Sequence, residues 1–262
     1  MGSSAMHIAR TGLDAQDTRM QVISNNLANV NTTAFKRDRA SFQTLAYQVV
    51  TAPGAASTAE TRYATGLNLG TGVRVQGTSR IETQGALSQT DNALDLAVDG
   101  NGYFQVQLPN GQLGYTRAGN FSRSAEGAIV TAEGYPVSPG ITIPEGATAI
   151  TIGLDGTVSA KLQGQTEATT LGQIQVANFP NPAGLQAMGD NYLTETAASG
   201  SASFGAPGQD GRGKVRQGML EASNVNVVQE LVDMIETQRA YEVNSKMISA
   251  TDEMLKYVNQ NI

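Results

Sequence analysis

The sequence predicts an α+β protein in which N- and C-terminal helices pair as a coiled-coil-like domain, with an inserted antiparallel β domain and a long extended connection. Three patterns support this fold class: a seven-residue apolar repeat near the carboxyl terminus, an apolar seam near the amino terminus, and short alternating strands between glycine-rich turns in the middle. Because an apolar stripe along a helix is unfavourable in water, each terminal helix is expected to pack against a partner.

The carboxyl-terminal helix is expected to extend from Asn226 to Ile262, a range without Pro or Gly. Asn226 is a suitable N-cap because its side-chain oxygen can accept a hydrogen bond from a free backbone N–H of the first turn. Large apolar side chains recur every seven residues, and a second row one residue earlier (Ala240, Met247 and Met254) widens the apolar face. The predicted subunit contacts of this helix are Leu231, Met234, Tyr241, Ile248, Leu255 and Ile262.

A second amphipathic helix is expected from about Ser4 to Asn29, where apolar residues follow one another in steps of three and four and only Gln16 interrupts them. If the two seams pair, apolar surface is left over, which favours packing against other copies of the chain. The pattern alone leaves a two-helix hairpin within a monomer as the alternative. The predicted subunit contacts of this helix are Met6, Ala9, Leu13, Met20, Ile23, Leu27 and Val30.

The chain between the helices divides into a connection and a β domain. The expected boundaries are an amino-terminal helix in 1–35, a linker and extended stretch in 36–78, a β domain in 79–219 and the carboxyl-terminal helix in 220–262. Within the β domain, alternation over 94–98 and 103–108 around Asp99-Gly100-Asn101-Gly102 predicts a β-hairpin. Further turns are expected at Pro109–Gly111, Glu126-Gly127, Glu133-Gly134 and Asp155-Gly156, further strands at Ile141–Ile143, Ala149–Ile152 and Ile174–Phe179, and a surface loop at Ala197–Gly213.

The range 47–72 is predicted to be a long irregular connection, because its Ala, Ser and Thr content cannot form a core of its own. One interpretation is a flexible linker. The other is a functional segment that folds against neighbouring subunits, since long connections in compact proteins often carry function. The candidate contact residues of this stretch are Tyr47, Val49, Val50, Pro53 and Tyr63.

Composition argues against an enzyme. The chain has one histidine, His7, and no cysteine, so neither a Ser–His–Asp arrangement near a nucleophile nor a His/Cys metal site can be assembled. No catalytic, cofactor-binding or metal-binding residue is predicted, and no cofactor is expected. The formal charge of −6 argues against a nucleic-acid partner. Residues 1–13 contain no apolar core of a cleaved signal peptide.

Four blocks in order resemble the flagellar rod and hook protein family of bacteria. They are SNNLANVNTTAFKR at 24–37, DLAVDGNGYFQV at 95–106, YTRAGNFSRSAEGAIVTAEGYPV at 115–137, and the segment 217–255, which contains SNVNVVQELVDMIETQRAYEVNSKMI. Ala34 stands where glycine is usual in the family. The resemblance spans nearly the whole chain.

The resemblance implies a structural axial protein that polymerises into the straight hollow distal rod of the flagellum and transmits torque from motor to hook. It implies other copies of the chain, proximal rod proteins, the hook protein, the surrounding ring proteins and the type III export apparatus as partners. It also implies export without a cleaved signal peptide and a position in the basal body, across the periplasm. The alternatives are a proximal rod or hook protein of the same family, or, from another class, a rod-associated wall hydrolase.

Overall fold

The computed structural model describes residues 2–56, 62–165 and 167–260 and confirms the α+β class. The described residues form two α-helices, α1 (Gly2–Ala28) and α2 (Val227–Gln260), and one short 3₁₀-helix at Pro182–Gly184. The chain forms two compact units. We call them the helical unit (Met1–Ala28, Asp38–Arg80 and Asn226–Ile262) and the β unit (Asn29–Arg37 and Ile81–Val225).

In the helical unit, α1 and α2 lie against each other in antiparallel directions. Arg19 of α1 contacts Asp233 of α2 at 3.5 Å. Asn26, which comes later in α1, contacts Glu230, which comes earlier in α2. The predicted N-cap of α2 is confirmed, since the Oδ1 atom of Asn226 accepts hydrogen bonds from the N–H groups of residues 228 and 229 at 3.1 and 3.3 Å. Val30, predicted as the last seam residue, lies beyond the end of α1 and belongs to the β unit.

The prediction of an irregular connection over 47–72 is wrong in its described part. The chain runs out through β1 (Asp38–Thr44) and β2 (Tyr47–Thr51) and returns through β3 (Leu67–Gly70) and β4 (Val73–Arg80). Strands β1 and β4 pair, β2 and β3 pair, and the Leu45 N–H donates to the Gly72 carbonyl at 2.9 Å between them. Backbone pairing does not require a core, so the composition of the stretch could not reveal it.

The β unit contains the remaining fifteen strands of the described chain. They are β5 (Leu87–Gln89), β6 (Leu96–Asp99), β7 (Tyr103–Gln107), β8 (Leu113–Thr116), β9 (Ser122–Arg123), β10 (Ile129–Val130), β11 (Ala147–Ile152), β12 (Thr157–Leu162), β13 (Thr169–Gln173), β14 (Val176–Asn178), β15 (Gln186–Gly189), β16 (Tyr192–Thr194), β17 (Ser203–Gly205), β18 (Lys214–Gln217) and β19 (Met219–Glu221).

The largest sheet has six strands in the order β15-β16-β8-β7-β14-β17, and a second has three in the order β11-β12-β13. Strands β6 and β18, β5 and β19, and β9 and β10 form separate antiparallel pairs. A continuous apolar core lies among them and includes Phe104, Val106, Val158, Val176 and Val215, none of which is accessible to solvent. This enclosed core accounts for the independent compactness of the β unit.

The predicted hairpin across Asp99–Gly102 is wrong. Strand β6 pairs with β18, and β7 pairs with β8 and β14. The positive φ angles of Gly100 and Gly102, 113° and 137°, redirect the chain from one sheet to another. The partner of β6 lies more than a hundred residues later, so local alternation carries no information about it.

Other local predictions have mixed outcomes. Hairpins form around Pro109–Gly111, Glu126-Gly127 and Asp155-Gly156, as predicted. The expected strand at Ile141–Ile143 is reduced to a single bridge at Thr142, and the expected loop at Ala197–Gly213 contains β17.

Candidate assembly surfaces

The seam between α1 and α2 is held by a buried amide. The Asn26 Nδ2 group donates to Glu230 Oε2 at 3.2 Å and to the Asp38 carbonyl at 2.9 Å, and Asn26 Oδ1 accepts from the Asp38 N–H at 2.9 Å. Asn26 and Glu230 are 2% and 3% exposed, so these bonds form away from water, where breaking them is costly. One residue of the amino-terminal signature thus connects α1, β1 and α2.

The predicted contact residues of α1 line its packed side. Ala9 and Ile23 are buried, while Met6, Leu13, Met20 and Leu27 are half-buried. Residues that retain exposure after α1 has packed within its own subunit leave apolar surface for a further contact.

On α2 the residues of the predicted repeat differ in their exposure to solvent. Met234, Ile248 and Leu255 are half-buried, whereas Leu231 and Tyr241 are exposed at 42% each. Ile262 lies outside the described residues. Only some residues of the seven-residue repeat therefore lie on the side of α2 that packs against α1.

The most buried side chains of α2 are polar, and sequence reasoning missed them. Glu230, Thr237 and Thr251 are 3%, 0% and 7% exposed. The two threonine hydroxyls donate to their own helix, to the carbonyls of residues 233 and 247, at 2.6 and 2.7 Å, so they are satisfied without a partner helix. Glu230, Thr237 and Thr251 are separated by seven and fourteen residues, but a search for apolar repeats does not find polar side chains.

The opposite side of α2 is an exposed apolar face. At 100° per residue, positions 228, 232, 235, 243 and 257 lie about 120° or more from Thr237, and position 254 lies at the edge of this face, about 100° from Thr237. Val228 is 71% exposed, Tyr257 70% and Met254 65%, and Val232, Ile235 and Val243 are also exposed. A helix with large apolar residues on this side requires a cover that its own subunit does not supply.

A second exposed apolar surface is the β2–β3 hairpin with its tip, residues 47–70, which we call the ribbon. Every side chain of β3 is exposed, as are the first four of β2. A two-stranded hairpin without a packed face is marginally stable in water, so this ribbon requires a partner surface. The exposed large apolar side chains of the ribbon are Tyr47, Val49, Val50, Tyr63, Leu67 and Leu69.

The signature segments of the two chain ends meet inside the β unit. Lys36 Nζ donates to Glu221 Oε1 at 2.5 Å and to the Thr83 carbonyl at 2.8 Å, and the Gly85 N–H donates to the same carboxylate oxygen at 2.9 Å. Arg117 approaches the other oxygen of Glu221 at 3.4 Å. Burial, and then the charge of Arg117, hold the pKa of Lys36 below its ordinary value despite the contact with Glu221.

Two further residues complete this junction. Asn224 accepts from the Arg37 N–H at 2.8 Å and donates through its amide to the Ile81 carbonyl at 2.8 Å and the Thr83 carbonyl at 3.0 Å. Ala34 has a left-handed φ of 58°, which alanine adopts at a cost of about 1 kcal/mol, and its N–H donates to the Glu221 carbonyl at 2.8 Å. The junction thus joins three segments that are distant in the sequence through specific polar contacts.

Within residues 2–56, 62–165 and 167–260, no three His, Cys, Asp or Glu side chains come together as a metal site. Among the helices of the same residues, none has an apolar stretch that could cross a membrane. Among the same residues, the shifted pKa values have structural causes. Burial raises the pKa of Tyr115 to about 12, and the hydrogen bond from Tyr192 lowers the pKa of Glu133.

The described features define a class of protein, a structural subunit whose exposed apolar surfaces are covered by neighbouring subunits. These features are the apolar outer face of the helix pair, the exposed ribbon and the enclosed core of the β unit. Three family models match the chain. Residues 6–36 match the model for flagella basal body rod proteins, residues 97–160 the D1 domain of flagellar hook proteins FlgE/F/G, and residues 216–261 the carboxyl-terminal region of flagellar basal body rod FlgEFG proteins.

Full-length relatives agree. A Buchnera aphidicola protein named flagellar basal-body rod protein FlgG is 51% identical over 256 residues, which cover 98% of each chain. The Caulobacter vibrioides protein of the same name is 50% identical over 257 residues, again 98% of each chain. The Caulobacter vibrioides protein named FlgF is 35% identical over 250 residues, 93% of this chain and 92% of its own. The chain therefore belongs to the flagellar basal-body rod protein family, and it is a structural protein of the flagellar rod.

Proposed function

We propose that this chain polymerises into the straight hollow distal rod of the flagellum and transmits torque from the motor to the hook. The observation that carries the proposal is the apolar outer face of α2, which remains exposed after α1 has packed on the other side. An open, repeated contact between copies generates a helical filament, and such a face supplies one. Higher identity to the Caulobacter FlgG than to the FlgF of the same organism supports the distal position.

In this proposal the two terminal helices form a coiled-coil-like inner domain in which the half-buried and exposed residues of both seams contact other copies. The chain acts as a structural subunit and not as an enzyme. Its further partners are the proximal rod proteins, the hook protein and the rings around the rod. The subunit passes through the type III export apparatus without a cleaved signal peptide and takes its place across the periplasm.

The ribbon braces the shaft. Its Tyr47, Val49, Val50, Pro53 and Tyr63 contact neighbouring subunits, which covers a hairpin that is otherwise exposed on its apolar side chains. A brace between subunits opposes sliding and keeps the shaft straight. The part of the stretch at 57–61 lies outside the described residues.

The test is a single charge on the outer face of α2. Ile235 is 51% exposed in the subunit, so Ile235→Asp leaves the monomer folded, but it places a carboxylate in the contact between copies at a cost of several kcal/mol. We expect no rods by electron microscopy and unchanged helix content by circular dichroism. Ser245→Asp is the matched control, because Ser245 is exposed on a polar side of α2. Rods in normal yield from Ile235→Asp would overturn the proposal.

A further inference from the structure

Two of the three exposed methionines in the described part of the chain lie on α2. The sequence has eight methionines and no cysteine, so methionine supplies all of its sulfur. The exposed ones are Met254, Met188 and Met247, at 65%, 52% and 46%. Met247 and Met254 belong to α2, and Met188 belongs to β15 in the β unit. An exposed thioether is open to oxidants, whereas a packed one is shielded.

The two methionines of α2 belong to an outward-facing row of small and large apolar side chains. Positions 243, 247, 250, 254 and 257 follow steps of four and three, so they lie within about 80° of one another around the helix. All five are exposed, and Tyr257 is 70% exposed. An apolar row with this spacing is the contact surface of helices that pack side by side. We call this row the outer stripe, and its members are Val243, Met247, Ala250, Met254 and Tyr257.

The outer stripe differs in its chemistry from the amino-terminal half of α2. In residues 227–241 the exposed large apolar side chains are aliphatic or aromatic, and they are Val227, Val228, Leu231, Val232, Ile235 and Tyr241. A peroxide leaves aliphatic side chains unchanged but adds oxygen to a thioether. The carboxyl-terminal half of α2 is therefore the part of the helix whose apolar contact an oxidant can remove.

We propose that Met247 and Met254 are oxidation sites that determine whether a free subunit can join the rod. The oxidant is a peroxide, in the simplest case hydrogen peroxide. The sulfur lone pair attacks one peroxide oxygen and forms the S–O bond, the O–O bond breaks, and the proton of the transferred oxygen leaves with the second oxygen as water. Each sulfur is oxidised by two electrons to a sulfoxide, and each peroxide is reduced.

The sulfoxide is polar, and it disrupts an apolar interface between helices. A polar group that is buried without a hydrogen-bond partner opposes association, and Val243 and Ala250 of the outer stripe have no side-chain group that could serve as one. Once a neighbour covers the outer stripe, the same sulfur atoms are shielded. Oxidation therefore acts on subunits before they are added. The role of these sites rests on the proposed self-assembly and adds to it a modification that prevents it.

The test treats purified subunits with hydrogen peroxide, removes the excess with catalase, and measures oxidation at each methionine by mass spectrometry. We expect the yield of rods in electron microscopy to fall at least ten-fold for the wild-type chain. The double variant Met247→Leu/Met254→Leu should keep its yield within two-fold of the untreated sample, because leucine replaces methionine with little strain and is not oxidised. Met188→Leu is the matched control, since it removes an exposed methionine outside α2, and it should remain as sensitive as the wild type.

Normal rods from the wild-type chain with both α2 methionines oxidised overturn the proposal and leave the proposed function intact. Equal sensitivity of the double leucine variant, or resistance of Met188→Leu, overturns it as well. If the untreated wild-type chain forms no rods, the proposed function fails and the role of the oxidation sites fails with it.

A second variant tests the outer stripe without any oxidant. Met247→Gln/Met254→Gln introduces polar side chains of similar length, and glutamine is a good helix former, so the helix content by circular dichroism should be unchanged. We expect at least ten-fold fewer rods than from the wild type. Normal rods from this variant would show that the outer stripe tolerates polar groups, which contradicts the proposal.

Discussion

In the β unit the large apolar side chains are enclosed, and Phe104, Val158 and Val215 are 0% exposed, whereas in the helical unit Val228 and Tyr257 of α2 are exposed at about seven-tenths of their surface. Buried polar groups occur in both units. Glu230, Thr237 and Thr251 are the most buried positions of α2, and the β unit encloses the Lys36–Glu221 pair beside its apolar core. The contrast in apolar exposure indicates that the β unit is stable by itself and that the helical unit reaches its full stability between neighbours.

The most severe test of this contrast is the removal of residues 247–262. The deletion shortens α2 by about its second half and removes Ile248, Met254 and Leu255, but it removes no strand of the β unit. We expect complete loss of rods by electron microscopy and sedimentation, together with a urea unfolding transition of the β unit close to that of the full chain. Rods of normal morphology from the shortened chain would show that the carboxyl-terminal part of α2, from residue 247 onwards, makes no assembly contact.

Removal of the ribbon should change the shape of the shaft rather than abolish it. Because the Leu45 N–H and the Gly72 carbonyl are hydrogen-bonded at 2.9 Å, residues 46–71 can be replaced by a two-residue Asn-Gly turn without separating β1 from β4. We expect rods that assemble through the helices but curve or bend, as traced along individual particles by electron microscopy. Uniformly straight rods would show that the ribbon is only a linker. The absence of rods would show that the ribbon makes contacts that assembly itself requires.

Within the β unit, Glu221→Ala should be strongly destabilising although it leaves all surfaces intact. It leaves the charges of Lys36 and Arg117 buried without their carboxylate, which costs about 3–5 kcal/mol. Urea denaturation monitored by tyrosine fluorescence measures the change in the free energy of unfolding. Glu126→Ala, in an exposed turn, is the matched control and should change it by less than about 0.5 kcal/mol. Equal effects of the two substitutions would refute the structural role of the junction.

The smallest expected effect is a pH dependence of the β unit. The pKa of Tyr115 is about 12 in the folded chain because of burial and the nearby Glu195, against about 10 when unfolded. The unfolded chain therefore releases this proton first, and stability present below pH 10 is lost as the pH rises towards 12, by on the order of 1–2 kcal/mol. Tyr115→Phe should reduce the fall in urea midpoint between pH 9 and 11.5 without abolishing it, because burial also raises the pKa of Tyr192. A slope identical to that of the wild type would contradict this.

Sequence reasoning succeeded where structure is local. The predicted helix from Ser4 to Asn29 corresponds to α1 at Gly2–Ala28, and the cap at Asn226 forms, because periodicity and capping depend on residues a few positions apart. It failed where pairing is distant, as for β6 with β18. The approach of Lys36 to Glu221 was also not predicted, because each residue taken alone has the pattern of an ordinary surface charge.

The prediction for the ribbon failed for another reason. Although Leu67-Asn68-Leu69 of β3 alternates, β2 carries two adjacent valines, Val49 and Val50, and lacks the alternation that burial on one face imposes. Both of its faces carry apolar side chains. The candidate contacts of α1, α2 and the ribbon remain predictions, because a single subunit can present a surface without its occupant.

The junction also bears on the order in which the chain can fold. Lys36 and Glu221 are 185 positions apart, and Asn26 and Glu230 are 204 positions apart. Contacts of such large sequence separation form slowly, because closure of a long loop precedes any stabilising contact. A subunit that leaves a narrow passage with its amino terminus first cannot complete either contact until about residue 221 has followed. Neither end of the chain can therefore complete these contacts before the other is present. The subunit becomes fully native only when nearly all of it is in the same compartment.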